Sequence, residues 1–313
     1  MTVVAVAGGS GKLGRAIVDG IVAAGKFEVV ILAREACADD AKSKEIGARI
    51  IAVDYTDSKA ITSVLDKNNI EVVISALGSH SPPEAELNLI IAASEASVTK
   101  RYVPSLWGIH YDEAAAAFFP PAAAKLSFVR ALKNTSLEWT YVSNGYFLDY
   151  YGAPKVKTYM PPLSCVIDVA NDFAGIPGSG DVPITFTHTF DVGKFTAALL
   201  TKTKWEDEES IIIGDKMTFN EFVRLAEEIK KTKFTVKYDS IEKLQTGQIT
   251  ELPSHPAGYP YFPKEMLQGM FSAIGILFDQ GYFSLKTDHT LNSEFPDIKP
   301  MTVREILTEA YAA

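Results

Sequence analysis

The chain has 313 residues, 47% of them hydrophobic and 22% charged, with a net charge of -9. That balance suits a globular protein of one large or two modest domains. The acidic excess speaks against a nucleic-acid surface, which needs a basic face. Two cysteines, Cys37 and Cys165, exclude a disulfide framework and a cysteine metal cluster. Neither thiol is expected to be catalytic, and no metal is expected. No stretch reaches the length of a membrane span, and the first strand starts without a basic, cleavable leader. The expected setting is reducing and cytoplasmic.

The chain opens on an apolar run, Val3-Val4-Ala5-Val6-Ala7. Gly8-Gly9-Ser10-Gly11 follows, and a helical pattern begins at Lys12-Leu13-Gly14. Strand, glycine turn and helix in that order make a dinucleotide phosphate site. Gly8 permits the turn, Gly11 lets backbone approach a pyrophosphate, and Gly14 lets the helix sit close to the strand. Lys12, Leu13 and Gly14 open the helix, whose free N–H groups and partial positive charge favour phosphate. The spacing is G-x-x-G-x-x-G rather than G-x-G-x-x-G, so its context carries the reading.

Further strands are expected at 28–32, 49–53, 72–75, 101–103 and 139–142, and helices at 12–24, 59–67, 84–94 and 122–132. Such alternation predicts right-handed βαβ units and a parallel sheet covered on both faces. Its ligand crevice lies beyond the carboxyl ends of the strands. Residues 145–183, rich in Gly, Pro, Tyr and Asp, read as loops and short strands beside a substrate cleft. A helix at 190–200 and a strand at 210–213 follow. Thr218-Phe219-Asn220-Glu221 and Thr302-Val303-Arg304-Glu305 are capping boxes that open helices. Residues 254–263 read as a loop, and 265–278 as an apolar helix.

The second strand leads to Ala33-Arg34. A basic residue here accommodates a ribose 2′-phosphate, so NADP(H) is favoured over NAD. Lys12, Lys42 and Lys44 could add to that charge, and Glu35 opposes it. Asp54, after the third strand and followed by Tyr55, could accept a bond from an adenine amino group or cap a helix. Ala76, Leu77 and Gly78 end the fourth strand with residues small enough for a cofactor to lie across. The expected fold is α/β. It is a Rossmann-type, doubly wound parallel sheet with a smaller C-terminal α/β substrate domain. Residues 1–150 form the NADP-binding domain, completed by a returning segment near 186–214, and residues 151–313 form the substrate domain.

Four further groups of residues carry a resemblance. They are Arg101-Tyr102-Val103-Pro104-Ser105-Leu106-Trp107-Gly108, Lys125 with Phe128, Arg130 and Leu132, Val142-Ser143-Asn144-Gly145-Tyr146-Phe147, and Thr189-Phe190-Asp191-Val192-Gly193. With the glycine loop, Gly214–Thr218 and Phe295–Pro300, they span nearly the whole chain. Together they resemble the isoflavone reductase-like branch of the NmrA-like proteins, an atypical short-chain dehydrogenase group, in the manner of its fungal members. The resemblance implies an NADPH-dependent reductase of a small aromatic, quinone-like or polyketide-type secondary metabolite. It makes Lys125 the acid–base residue beside the nicotinamide, with Gly145 and Phe147 close by.

Lysine suits that role, because a desolvated ammonium loses its proton more readily. His110 and Tyr146 are further catalytic candidates. Tyr111, Tyr150 and Tyr151 are expected at the pocket walls. Two departures stand out. Pro121, four residues before Lys125, removes the tyrosine of the usual Tyr-x-x-x-Lys pair. Leu106 stands where the group usually has glutamate in Pro-Ser-Glu-Phe/Trp-Gly. The alternatives are a non-catalytic NADP-binding redox sensor and a non-redox dehydratase or isomerase. The expected partner is a small-molecule substrate, with no nucleic acid or membrane, in a monomer or homodimer.

Overall fold

A computed structural model describes residues 1–34, 40–78 and 81–312, and only the backbone of 40–42. Cys37, Glu35 and the Lys42 side chain lie outside the described residues. Six parallel strands form the main sheet: β1 (Val3–Ala7), β2 (Glu28–Ala33), β3 (Arg49–Ala52), β4 (Ile70–Ser75), β5 (Arg101–Val103) and β6 (Glu138–Trp139). Their order is β3-β2-β1-β4-β5-β6. Helices α1 (Lys12–Ala24), α2 (Asp40–Ile46), α3 (Ser58–Lys67), α4 (Pro83–Glu95), α5 (Glu113–Ala116) and α6 (Pro120–Lys133) lie between the strands. This is the doubly wound α/β sheet expected from the alternation.

β1 reads as one apolar run because both of its faces are buried. Val3, Ala5 and Ala7 enter one core cluster with residues of α3, α4 and α6. Val4 and Val6 enter another with Ile17 and Ile21 of α1. Local chemistry sets the helix starts. Asp57 caps α3 by accepting from the Ala60 amide at 3.0 Å. Prolines occupy the first turns of α4 and α6, where a missing N–H costs nothing.

The strand expected over 139–142 divides in two. β6 stays on β5, where Arg101 ion-pairs with Glu138 at 2.8 Å. β7 (Tyr141–Ser143) instead pairs in parallel with a later strand. The chain continues through β8 (Tyr146–Phe147), α7 (Asp149–Gly152), β9 (Ile167–Asp168), β10 (Phe173–Pro177) and β11 (Pro183–Thr187). Next come α8 (Thr189–Leu199), β12 (Glu209–Ile211), β13 (Asp215–Thr218), α9 (Phe219–Lys230) and β14 (Thr235–Asp239). β12 is the partner of β7. Val192 and Phe195 of α8 share the core of α1.

β8 to β11, α7, α9 and residues after β14 build a further core, which also takes in Ile109, Ala115 and Ala122. It is rich in aromatics, with ring centroids 4.5 Å apart for Tyr151 and Phe222 and 4.4 Å for Phe278 and Phe283. Both expected capping boxes are formed, at Thr218/Glu221 and Thr302/Glu305. Among the described residues no helix is long and apolar enough to cross a membrane, and no group of three or more His, Cys, Asp or Glu is placed to hold a metal.

Candidate functional site

The strand order reverses between β1 and β4, which opens a crevice at their carboxyl ends. The glycine turn fills its floor. Gly8 has φ +73°, and a Cβ there would meet the Ala76 carbonyl oxygen at 2.7 Å. A Cβ on Gly14 would sit 2.2 Å from the Gly8 oxygen. Only glycine lets α1 start this close to the end of β1. No side chain caps α1 at Gly11, and Gly11, Lys12, Leu13 and Gly14 all line the cleft. Uncapped amides at a helix N-terminus suit a phosphate group. The residues present therefore fit a dinucleotide.

The cleft holds about 540 Å³ and runs from this cradle to Lys125. Arg34 and Tyr55 line one end, with Ala76, Leu77 and Gly78 along the wall. Trp107, Lys125, Phe147, Tyr150 and Met160 line the other. Asp54 borders an adjoining hollow that shares Arg34, Tyr55 and Ser81. Its Oδ1 accepts from the Thr56 amide at 2.9 Å and the Thr56 hydroxyl at 2.7 Å, which holds its carboxyl below the usual range. Tyr55 donates to the Leu32 carbonyl at 3.0 Å.

Lys125 reaches into the cleft from α6. Its Nζ donates to the Ser105 carbonyl at 3.1 Å and lies 5.2 Å from the centre of the Tyr111 ring. Burial lowers its pKa to about 8, and the charge of Glu86 opposes that fall. An ammonium so placed can release and regain a proton near neutral pH. Trp107 is fixed by its Nε1, which donates to the Ser75 carbonyl at 2.8 Å.

Other candidates lie elsewhere. His110 is exposed and does not line the cleft; its Nδ1 meets the Tyr141 hydroxyl at 2.6 Å. Tyr146 is buried behind the wall, among Tyr150, Tyr151, Phe278 and Phe283. Alternation along β8 explains this, since Phe147 faces the cleft and Tyr146 the core. Gly145 also lies behind the lining, its amide bonded to the Gly108 carbonyl at 2.7 Å. Tyr151 is core rather than wall. Cys165 is buried, and burial pushes its thiol up to about 12, as an inert cysteine requires.

Leu106 packs in the core beside α4 and α6, not in the cleft. A carboxylate is nonetheless present nearby, on Glu86 of α4. Sequence reasoning passed over it, although a signal existed: Glu86, Leu89, Ile90 and Ala93 fall at i, i+3, i+4 and i+7, so an acidic side chain sits on the apolar face. Met160 was also missed, because nothing local distinguishes it in its loop.

The NmrA-like family model matches residues 1–307. The chain is 34% identical over 305 residues to "Oxidoreductase BOA1" of Botryotinia fuckeliana, covering 96% of each chain. It is 25% identical over 334 residues to "Pinoresinol reductase 2" of Arabidopsis thaliana, covering 98% of this chain and 96% of that one. Among solved structures, leucoanthocyanidin reductase from Vitis vinifera superposes with a TM-score of 0.76 at 19% identity, covering 98% of both chains. With the fold, the cradle and these matches in agreement, the chain belongs to the NmrA-like family.

Proposed function

We propose that the protein is an NADPH-dependent reductase of a small organic substrate, with Lys125 as proton donor. The chain is an oxidoreductase of its family, and its cofactor is NADP(H). One observation carries the reading: the glycine cradle and a lysine of lowered pKa line the same cleft. When bound, NADPH supplies a hydride. The amides of residues 12–14 hold the phosphates, the Gly11 amide being taken by the Gly8 carbonyl at 3.0 Å, and Arg34 takes the 2′-phosphate. Lys125 donates a proton to the atom made electron-rich by reduction.

Trp107, Phe147 and Tyr150 offer flat apolar walls next to Lys125, which suits an aromatic, quinone-like or polyketide-type ring. Residues 1–150, completed by the returning segment near 186–214, serve the cofactor. Residues 151–313 close the substrate side, contributing Met160 to the cleft.

The test follows NADPH binding by fluorescence and its consumption by absorbance, against a panel of quinones and aromatic ketones. Consumption with matching product supports the reading. Tight binding without turnover of any compound favours a sensor, and product formation without NADPH loss favours isomerisation or dehydration.

Two further results are expected. Arg34→Ala should weaken NADPH by about tenfold or more, the scale of hydrogen bonds to a charged group, and leave NADH nearly unchanged. Equal loss for both cofactors would remove the 2′-phosphate assignment. The pH dependence follows from the sign of the Lys125 shift. The proton-bearing form is the active donor, so kcat/KM should be level at lower pH and fall through about 8. A profile flat across that point would contradict Lys125 as donor.

A further inference from the structure

Glu86 enters the protein interior from the first turn of α4 and is 3% exposed. Three donors meet it. Ser75 Oγ donates to one carboxylate oxygen at 2.5 Å; the Tyr102 hydroxyl, at 3.0 Å, and the Ser105 amide, at 3.1 Å, donate to the other. Ser105 is the link to the cleft. Its carbonyl accepts from Lys125 Nζ at 3.1 Å, and its hydroxyl donates to the Leu77 carbonyl at 2.8 Å. Burying a carboxylate is costly unless partners offset it. The apolar face of α4 could be completed without one. A fully bonded carboxylate here therefore asks for a reason beyond packing.

We propose that Glu86 is the positioning residue for Lys125: through Ser105 it fixes the carbonyl that holds the ammonium, and its negative charge supports that ammonium in the cleft. The inference rests on the reading of Lys125 as proton donor. Among the described residues, Glu86 is the carboxylate whose charge acts on Lys125. Burial raises the pKa of Glu86 itself, while its three donors and Lys125 pull it down.

The other titratable groups facing the pair are phenols: Tyr102 from β5, Tyr55 after β3 and Tyr111 beneath Nζ. All three are pushed up by burial and stay neutral. Charged groups on the packed helices point elsewhere. Lys59 and Lys67 of α3, and Glu84 and Glu95 of α4, are exposed. Asp66 of α3 accepts from Ser97, Arg130 of α6 pairs with Glu113, and Lys133 pairs with Glu208.

The test reads protonation directly, in the full chain without cofactor or substrate. Lysine labelled with 13C at Cε and glutamate labelled at Cδ are titrated by NMR. The Lys125 signal is assigned by its loss in Lys125→Arg, and the Glu86 signal by its loss in Glu86→Gln or Glu86→Asp. In Glu86→Gln the Lys125 midpoint should fall by about one pH unit, and the alkaline limb of kcat/KM should move with it. Glu86→Asp keeps the charge and should restore most of the shift. Equal midpoints in wild type and Glu86→Gln would overturn the proposal. Should Glu86→Gln not fold, the wild-type glutamate titration decides: Glu86 ionised where Lys125 titrates supports the proposal, and Glu86 neutral there overturns it. A shifted midpoint in a protein that reduces nothing on the panel supports the coupling and sinks the reductase reading instead.

Discussion

Exchanging Lys125 for methionine is expected to lower kcat/KM by about 10²- to 10⁴-fold, the usual contribution of a positioned proton donor. NADPH affinity should change only a few-fold. Methionine keeps an unbranched apolar stem on α6 and removes only the charged head, so packing is preserved. The fold should also survive, because Glu86 retains its bonds from Ser75, Tyr102 and Ser105. Lys125→Arg separates proton transfer from charge alone. Arginine keeps the positive charge but does not give up its proton at ordinary pH. It should therefore be nearly as inactive as methionine. Full activity in the arginine variant would mean that the side chain anchors charge and donates nothing.

Gly14→Ala is expected to weaken NADPH binding by about tenfold or more and to destabilise the protein by about 1–3 kcal/mol. Both effects come from one collision. The new Cβ would lie 2.2 Å from the Gly8 oxygen, and Gly8 is tied in place by its amide on the Leu32 carbonyl at 3.1 Å and its carbonyl on the Gly11 amide at 3.0 Å. The start of α1 must then move away from β1, and the amides that face the phosphates move with it. Gly269→Ala is the control. Nothing lies within 4 Å of a Cβ there, and the site is inside the helix Lys264–Asp279. That variant should gain about 0.5–1 kcal/mol and bind NADPH normally. Isothermal titration and thermal melts report both. Unchanged NADPH affinity in Gly14→Ala would remove the cradle as the phosphate site.

The two effects differ in how they could be found. The collision at Gly14 is written in the spacing of the first strand, the turn and the helix. The setting of Lys125 is not, since its stated neighbours Ser105 and Tyr111 come from the loop after β5 and Glu86 from α4. His110 shows the same limit from the other side. It lies in the stretch that follows β5, as a rim residue should, yet the chain turns its ring towards Tyr141. Tyr146 and Phe147 are adjacent, and one residue of register on β8 decides which faces the cleft.

Sequence alone determined the parallel sheet, the glycine turn, both capping boxes and the basic residue after β2. Each of these is a local pattern of burial, turn chemistry or capping whose cause lies within a few residues. Tertiary structure decided the break at Thr140, the pairing of β7 with β12, and the carboxylate behind Lys125. Those depend on contacts between segments far apart in the chain, where a buried charge keeps its place only if distant partners satisfy it.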